Sequence, residues 1–176
     1  MPFAIIADWD GSNRVTRYNL VDTEPEAIAI VDRLLGVGDD PLPPAKQAPN
    51  AYYVEMPPAP AGTALFQHRA RFWVADPGAG TVSFDAAACH AWQSDLHKRV
   101  IDREADRRAD EVFSPGDPGR AGRVRGEMPP GGPRNALEAR VGVLRTAAQA
   151  LKDSLGAMTP EEILAVDPSD DAHWPE

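Results

Sequence analysis

The chain has 176 residues, a formal net charge of −9 and 18 prolines. That length accommodates one domain or a small domain with an appendage, and the acidic balance argues against a surface that neutralises nucleic-acid phosphates or anionic lipid. A single cysteine, Cys89, excludes an intrachain disulfide framework and suits a reducing compartment; no apolar run reaches bilayer-spanning length, and no basic, then apolar leader opens the chain.

The prolines cluster at Pro41 to Pro49, Pro57 to Pro60 and Pro115 to Pro133. Proline ends helices and donates nothing to a central ladder, so these clusters mark joints. The first piece, 1–84, opens with the β-compatible run Phe3 to Trp9, then Asp10-Gly11-Ser12-Asn13, then Val15, Tyr18, Leu20 and Val21. Two strand-like runs about an Asp-Gly turn predict a hairpin. Thr23 and Glu26 form a capping-box pattern ahead of Ile28, Val31, Leu34 and Leu35 on one helical face, and Gly36 stops that helix. Ala51 to Met56 reads as a strand. Arg71 to Ala75 and Thr81 to Phe84 read as a second hairpin. The sum is an α+β domain, a small mostly antiparallel sheet with one helix.

From 85 to 113 the texture is a long charged helix whose least polar positions are Cys89, Trp92, Leu96, Val100, Ala105 and Ala109. Acid-base pairs such as Asp95 with Arg99 and Glu104 with Arg108 lie four apart, each worth a few tenths of a kcal/mol on a solvated helix. Residues 114–134 read as a Gly/Pro/Arg loop with a positive balance from Arg120, Arg123, Arg125 and Arg134. Those four arginines suit an arm that lies on an acidic partner, whereas composition alone favours a flexible connector between two helices.

The stretch 135–166 carries the strongest pattern. Leu137, Val141, Leu144, Ala148, Leu151 and Leu155 recur at alternating steps of four and three, a heptad seam that another helix must cover, from this chain or from a copy. Asn135 and Glu138 supply a start signal, and Thr159-Pro160-Glu161-Glu162 caps a short terminal helix. The last ten residues, 167–176, read as an acidic tail with Trp174 as an anchor.

Candidate chemistry is sparse. An apolar strand ending in Asp8-Trp9-Asp10-Gly11 resembles the first motif of haloacid-dehalogenase-like phosphatases, which implies Asp8 as nucleophile and Asp10 as acid or base over Mg²⁺. The later Ser or Thr, Lys and acidic pair of that family are not at matching places, and the parallel strand-helix alternation is missing. A calcium loop at the same turn lacks its distal Glu. His68, His90, His97 and His173 give no metal spacing, and Cys89 beside His90 points away from it on a helix. Neither catalytic residues nor a cofactor are assigned.

From Phe72 onward the chain resembles tailed-bacteriophage tail proteins of the tail-fibre and tail-assembly type. The resembling features are the Trp-bearing hairpin Phe72-Trp73-Val74 to Gly80-Thr81-Val82, the charged helix entered at Asp85, and a second helix ending in Gln149-Ala150-Leu151-Lys152-Asp153. The Thr159-Pro160-Glu161-Glu162 cap and Trp174-Pro175 complete it. Where such proteins turn quickly between the two helices, this chain inserts its Gly/Pro/Arg loop. The resemblance implies a non-enzymatic virion protein of the tail tip, baseplate or fibre attachment. It would be made in the host cytoplasm, contact other tail proteins and form a homo-oligomer, with no nucleic acid or membrane as partner. A tail-fibre assembly chaperone is the alternative, ahead of a phosphatase.

Overall fold

The computed structural model describes residues 3–8, 21–76 and 78–175. The fold is α+β, with two small antiparallel sheets and five α-helices among the described residues. Two compact units divide after Cys89, inside a helix, and each is described by itself.

In the first unit, β1 (Phe3–Asp8) pairs antiparallel with β2 (Asn50–Glu55), from Phe3 opposite Glu55 to Asp8 opposite Asn50. The expected turn Asp10-Gly11-Ser12-Asn13, and the expected second strand except for Val21, lie outside the described residues. Val21 meets Phe3 in an isolated antiparallel bridge. Between the strands runs α1 (Glu24–Leu35). Thr23 is its N-cap residue, but its hydroxyl donates to the Glu26 carboxylate instead of accepting a helix amide, so the expected box is incomplete. At the other end Gly36 adopts φ +76° and Val37 N–H closes on the Asp32 carbonyl, a left-handed stop that suits glycine. The buried face of α1 is Ala27, Val31 and Leu34; Ile28 and Leu35, expected on that face, are exposed.

Alternation in β1 serves two cores, as a period of two requires. Ala4 and Ile6 join Met56, Trp73, Ala75 and Val82, while Ile5 and Ala7 join Val21, Val31, Leu34 and Ala51. The single expected sheet is thus two. The second sheet is the hairpin β3 (Trp73–Asp76) with β4 (Thr81–Phe84), where the Asp76 carboxylate accepts from the amides of Gly78 and Ala79. Arg71, expected in β3, belongs to the 3₁₀ turn Ala70–Phe72.

The helix α2 (Ala86–Phe113) follows, and the second unit comprises its greater part with α3 (Ala121–Glu127), α4 (Gly132–Ser154) and α5 (Pro160–Ala165). Two clusters hold it. Ile101 and Ala105 of α2 pack with Leu144, Ala148, Leu155, Ile163 and Trp174; Ala109 and Phe113 pack with Ala121 and Val141. Higher numbers on α2 meet lower numbers on α4, so the helices run antiparallel.

Three expectations are corrected here. The buried line of α2 is Cys89, His97, Ile101, Ala105, Ala109 and Phe113, with Gln93 between, all in steps of four, whereas Leu96 and Val100 are exposed. In a helix this densely charged the apolar signal is thin, and the face is chosen by what packs on it. The run 114–134 is not a loop throughout. Its proline-free core closes α3, buries Ala121 and is stitched by Arg123 to Glu127; its last three residues open α4, with Pro133 where no helix amide is needed. Accordingly Asn135 is not a cap: Gly131 is, and the Asn135 amide already donates to the Gly131 carbonyl.

Candidate partner-binding surface

The heptad stripe is covered inside one chain. Val141, Leu144, Ala148 and Leu155 are buried, and Leu137 and Leu151 are partly buried against the same clusters. What covers them is α2 and the terminal segment, so the stripe is a helix-packing interface within the chain. Self-association through it would require α4 to part from those neighbours.

All four arginines of the basic stretch have acidic partners. Arg125 forms a bidentate pair with Glu138 at 2.8 Å and lies over the Phe113 ring, tying α3 to α2 and α4. Arg123 bonds Glu127 at 2.7 Å, Arg134 reaches Glu138 and the Met128 carbonyl, and Arg120 stands 4.0 Å from Asp117. Exposed pairs of this kind are worth roughly 0–1 kcal/mol, so a partner can exchange them at small cost. Arg120 and Arg123 are the most exposed of the four.

Sequence reasoning missed a hub at Arg108. Its Nε donates to Glu104 at 2.8 Å, its Nη2 donates to the Ser169 carbonyl and to Asp171, and its guanidinium lies 5.0 Å from the centre of the Trp174 ring. Glu104 also receives a fork from Arg107, and these hydrogen bonds, with the Arg107 contribution the largest, hold its carboxyl below the ordinary value. The signal was hidden because Arg108 is one of many charges on a mixed helix. The acidic tail is accordingly not loose: Trp174 is 7% exposed and donates through Nε1 to the Pro168 carbonyl.

Two histidines of α2 also grip the terminal half. His90 Nε2 meets the Leu155 carbonyl at 3.1 Å and His97 Nε2 meets the Val166 carbonyl at 2.9 Å, where a carbonyl acceptor requires a protonated ring nitrogen. Beside Arg108 a groove of about 280 Å³ is lined by Glu111, Val112, Pro115, Arg140, Leu144 and Pro175.

Other sequence candidates separate from chemistry. Cys89 is fully buried, and burial pushes its thiol up to about 11, so it carries little thiolate at neutral pH. Among the described residues no group of three or more His, Cys, Asp or Glu is placed to hold a metal. Asp8 closes a strand that pairs antiparallel, whereas the phosphatase motif belongs to a parallel sheet; Asp10 lies outside the described residues. No helix among the described residues is long and apolar enough to cross a membrane. Comparisons with protein-family models, with curated proteins and with solved structures find no match.

Proposed function

We propose that the chain is a non-enzymatic structural protein of a bacteriophage tail, placed at a tail tip, baseplate or fibre attachment and acting through contacts with other tail proteins. The observation that carries this reading is the sequence run from the Trp73 hairpin to Trp174-Pro175, which forms a hairpin and then a series of helices. In the second unit, Arg108, Arg125, His90 and His97 each tie together segments distant in sequence, through other side chains or backbone carbonyls. Such bracing suits a part that transmits position. The exposed, weakly paired Arg120 and Arg123 supply a surface for an acidic neighbour, and self-association belongs to the proposal.

The test is quantitative mass spectrometry of purified particles together with complementation of a disrupted gene. A fixed stoichiometry in finished particles, and tailless or fibreless particles without the gene, are the expected results. A chain required for assembly yet missing from finished particles would replace this reading with that of a chaperone. Normal infectious particles without the gene would refute both.

A further inference from the structure

The backbone of β2 is hydrogen-bonded on one side only. Phe3 donates its N–H to the Val21 carbonyl at 2.8 Å and accepts from the Val21 N–H at 3.4 Å, so at Phe3 the backbone of β1 faces away from β2. Backbone direction alternates along a strand, which makes Phe3 with Glu55, Ile5 with Tyr53 and Ala7 with Ala51 the non-hydrogen-bonded pairs of the ladder. Ala51, Tyr53 and Glu55 therefore aim N–H and C=O at the outer side of β2, and among the described residues no hydrogen bond uses those groups. On that side β2 ends its sheet. Such an edge is a template for another strand, and neither lysine nor proline blunts it within Asn50–Glu55. At its far end a cavity of about 350 Å³, walled by Val54, Glu55, Met56 and Pro57 and by Thr81 and Val82 of β4, separates β2 from its neighbour.

The residues bounding the edge select its partner. Pro49 and Pro57, which have no N–H, stand four positions to either side of Tyr53. When two copies pair antiparallel about Tyr53, that residue faces itself, Ala51 faces Glu55, and the two prolines face each other beyond the ladder. Every outward N–H and C=O from Ala51 to Glu55 then has a partner. A slip of two residues either way sets Pro57 opposite Ala51 or Pro49 opposite Glu55, and a carbonyl loses its donor. The centred register also brings Tyr52 opposite Val54 twice, an aromatic against a β-branched side chain at the closely spaced position. It opposes no like charges, because Glu55, the one charged residue of β2, faces Ala51.

We infer that the outer edge of β2 is a self-association surface, and that its partner is the same edge of a second copy of this chain, paired antiparallel about Tyr53. The β1–β2 sheets of the two copies become one continuous sheet. A two-fold contact uses one patch twice and closes, so the product is a dimer and not a filament. The interface stands apart from the heptad stripe, rests on strand geometry alone, and holds whether or not the chain belongs to a tail.

The test is sedimentation equilibrium of the full-length chain over a concentration series, joined to cysteine cross-linking. The wild type should dimerise, and Glu55→Pro should weaken the dimer about tenfold or more, since it deletes at both ends of the ladder an N–H that bonds nothing within the chain. Cross-linking reads the register. In a Tyr53→Cys chain the two new thiols lie at the two-fold axis with Cα atoms about 5.5 Å apart, so oxidation should give a covalent dimer. In a Glu55→Cys chain they stand roughly 14 Å apart and should not join. Cys89 is fully buried and does not compete. A monomer at every concentration, a dimer that Glu55→Pro leaves unchanged, or a Glu55→Cys chain that cross-links as readily as Tyr53→Cys would overturn the inference. If Glu55→Pro does not fold, the wild-type mass and the two cysteine variants decide.

Discussion

Leu155→Ala probes the packing of the second unit most directly. Leu155 is fully buried, sits in the cluster with Ile101, Leu144, Ala148, Ile163 and Trp174, and offers its carbonyl to His90. Alanine leaves that backbone acceptor in place and removes about three methylene equivalents, a transfer loss of roughly 2.4 kcal/mol at about 0.8 each. The neighbours belong to four different segments, so they collapse only partly, and the residual cavity adds on the order of 1 kcal/mol. The expected loss is therefore about 3–4 kcal/mol, read from urea unfolding by far-ultraviolet circular dichroism and by tryptophan fluorescence. Leu164→Ala, at a position 50% exposed in the same helical region, is the control and should change stability by less than about 0.5 kcal/mol. A Leu155→Ala chain within about 1 kcal/mol of the wild type would refute the burial argument and with it the placement of α4 against α2 and α5.

Three further outcomes follow from the geometry. Gly36→Ala should destabilise the first unit by more than about 1 kcal/mol, because alanine resists the left-handed conformation at φ +76° and its Cβ would fall on the Gln47 amide, itself bonded to the Leu42 carbonyl; thermal melting of the variant measures it. Thr159→Ala removes the acceptor for the Glu162 amide and leaves the capping box half made, at a cost of about 1 kcal/mol, seen as faster hydrogen exchange in α5. Glu104 has a folded carboxyl value below its ordinary 4.5, so its contribution is present above that value and fades as pH falls through the lower folded one. Acid titration should accordingly unfasten the Arg107–Glu104–Arg108 set, and Glu104→Gln should flatten that part of the stability-pH curve; an unchanged curve would deny the linkage.

Local signals were legible from residue order alone. The left-handed stop at Gly36, the Thr159 box and the heptad of α4 depend on neighbours within a turn or two, so they do not wait on the rest of the fold. The same holds for the β3–β4 hairpin, whose turn is closed by Asp76 on the next amides. The α+β class follows from such pieces. What packing alone decided begins with the face of α2. Its line of burial passes through Gln93 and His97 and leaves Leu96 and Val100 outside, because the α4 stripe and the terminal segment select the side they meet. Packing likewise made α3 out of a Gly- and Pro-flanked run, since Ala121 and Arg125 have partners only once α2 and α4 stand side by side. Arg108 and Trp174 are 66 residues apart, and no local rule joins them. Residue order offered Trp174 as the anchor of an acidic tail, and only the folded chain supplies its seat, in the buried cluster and beside a guanidinium from a distant helix. Short-range bonds are written in the order of the residues; the choice among equally polar faces, and the meeting of distant charges, belongs to the folded chain.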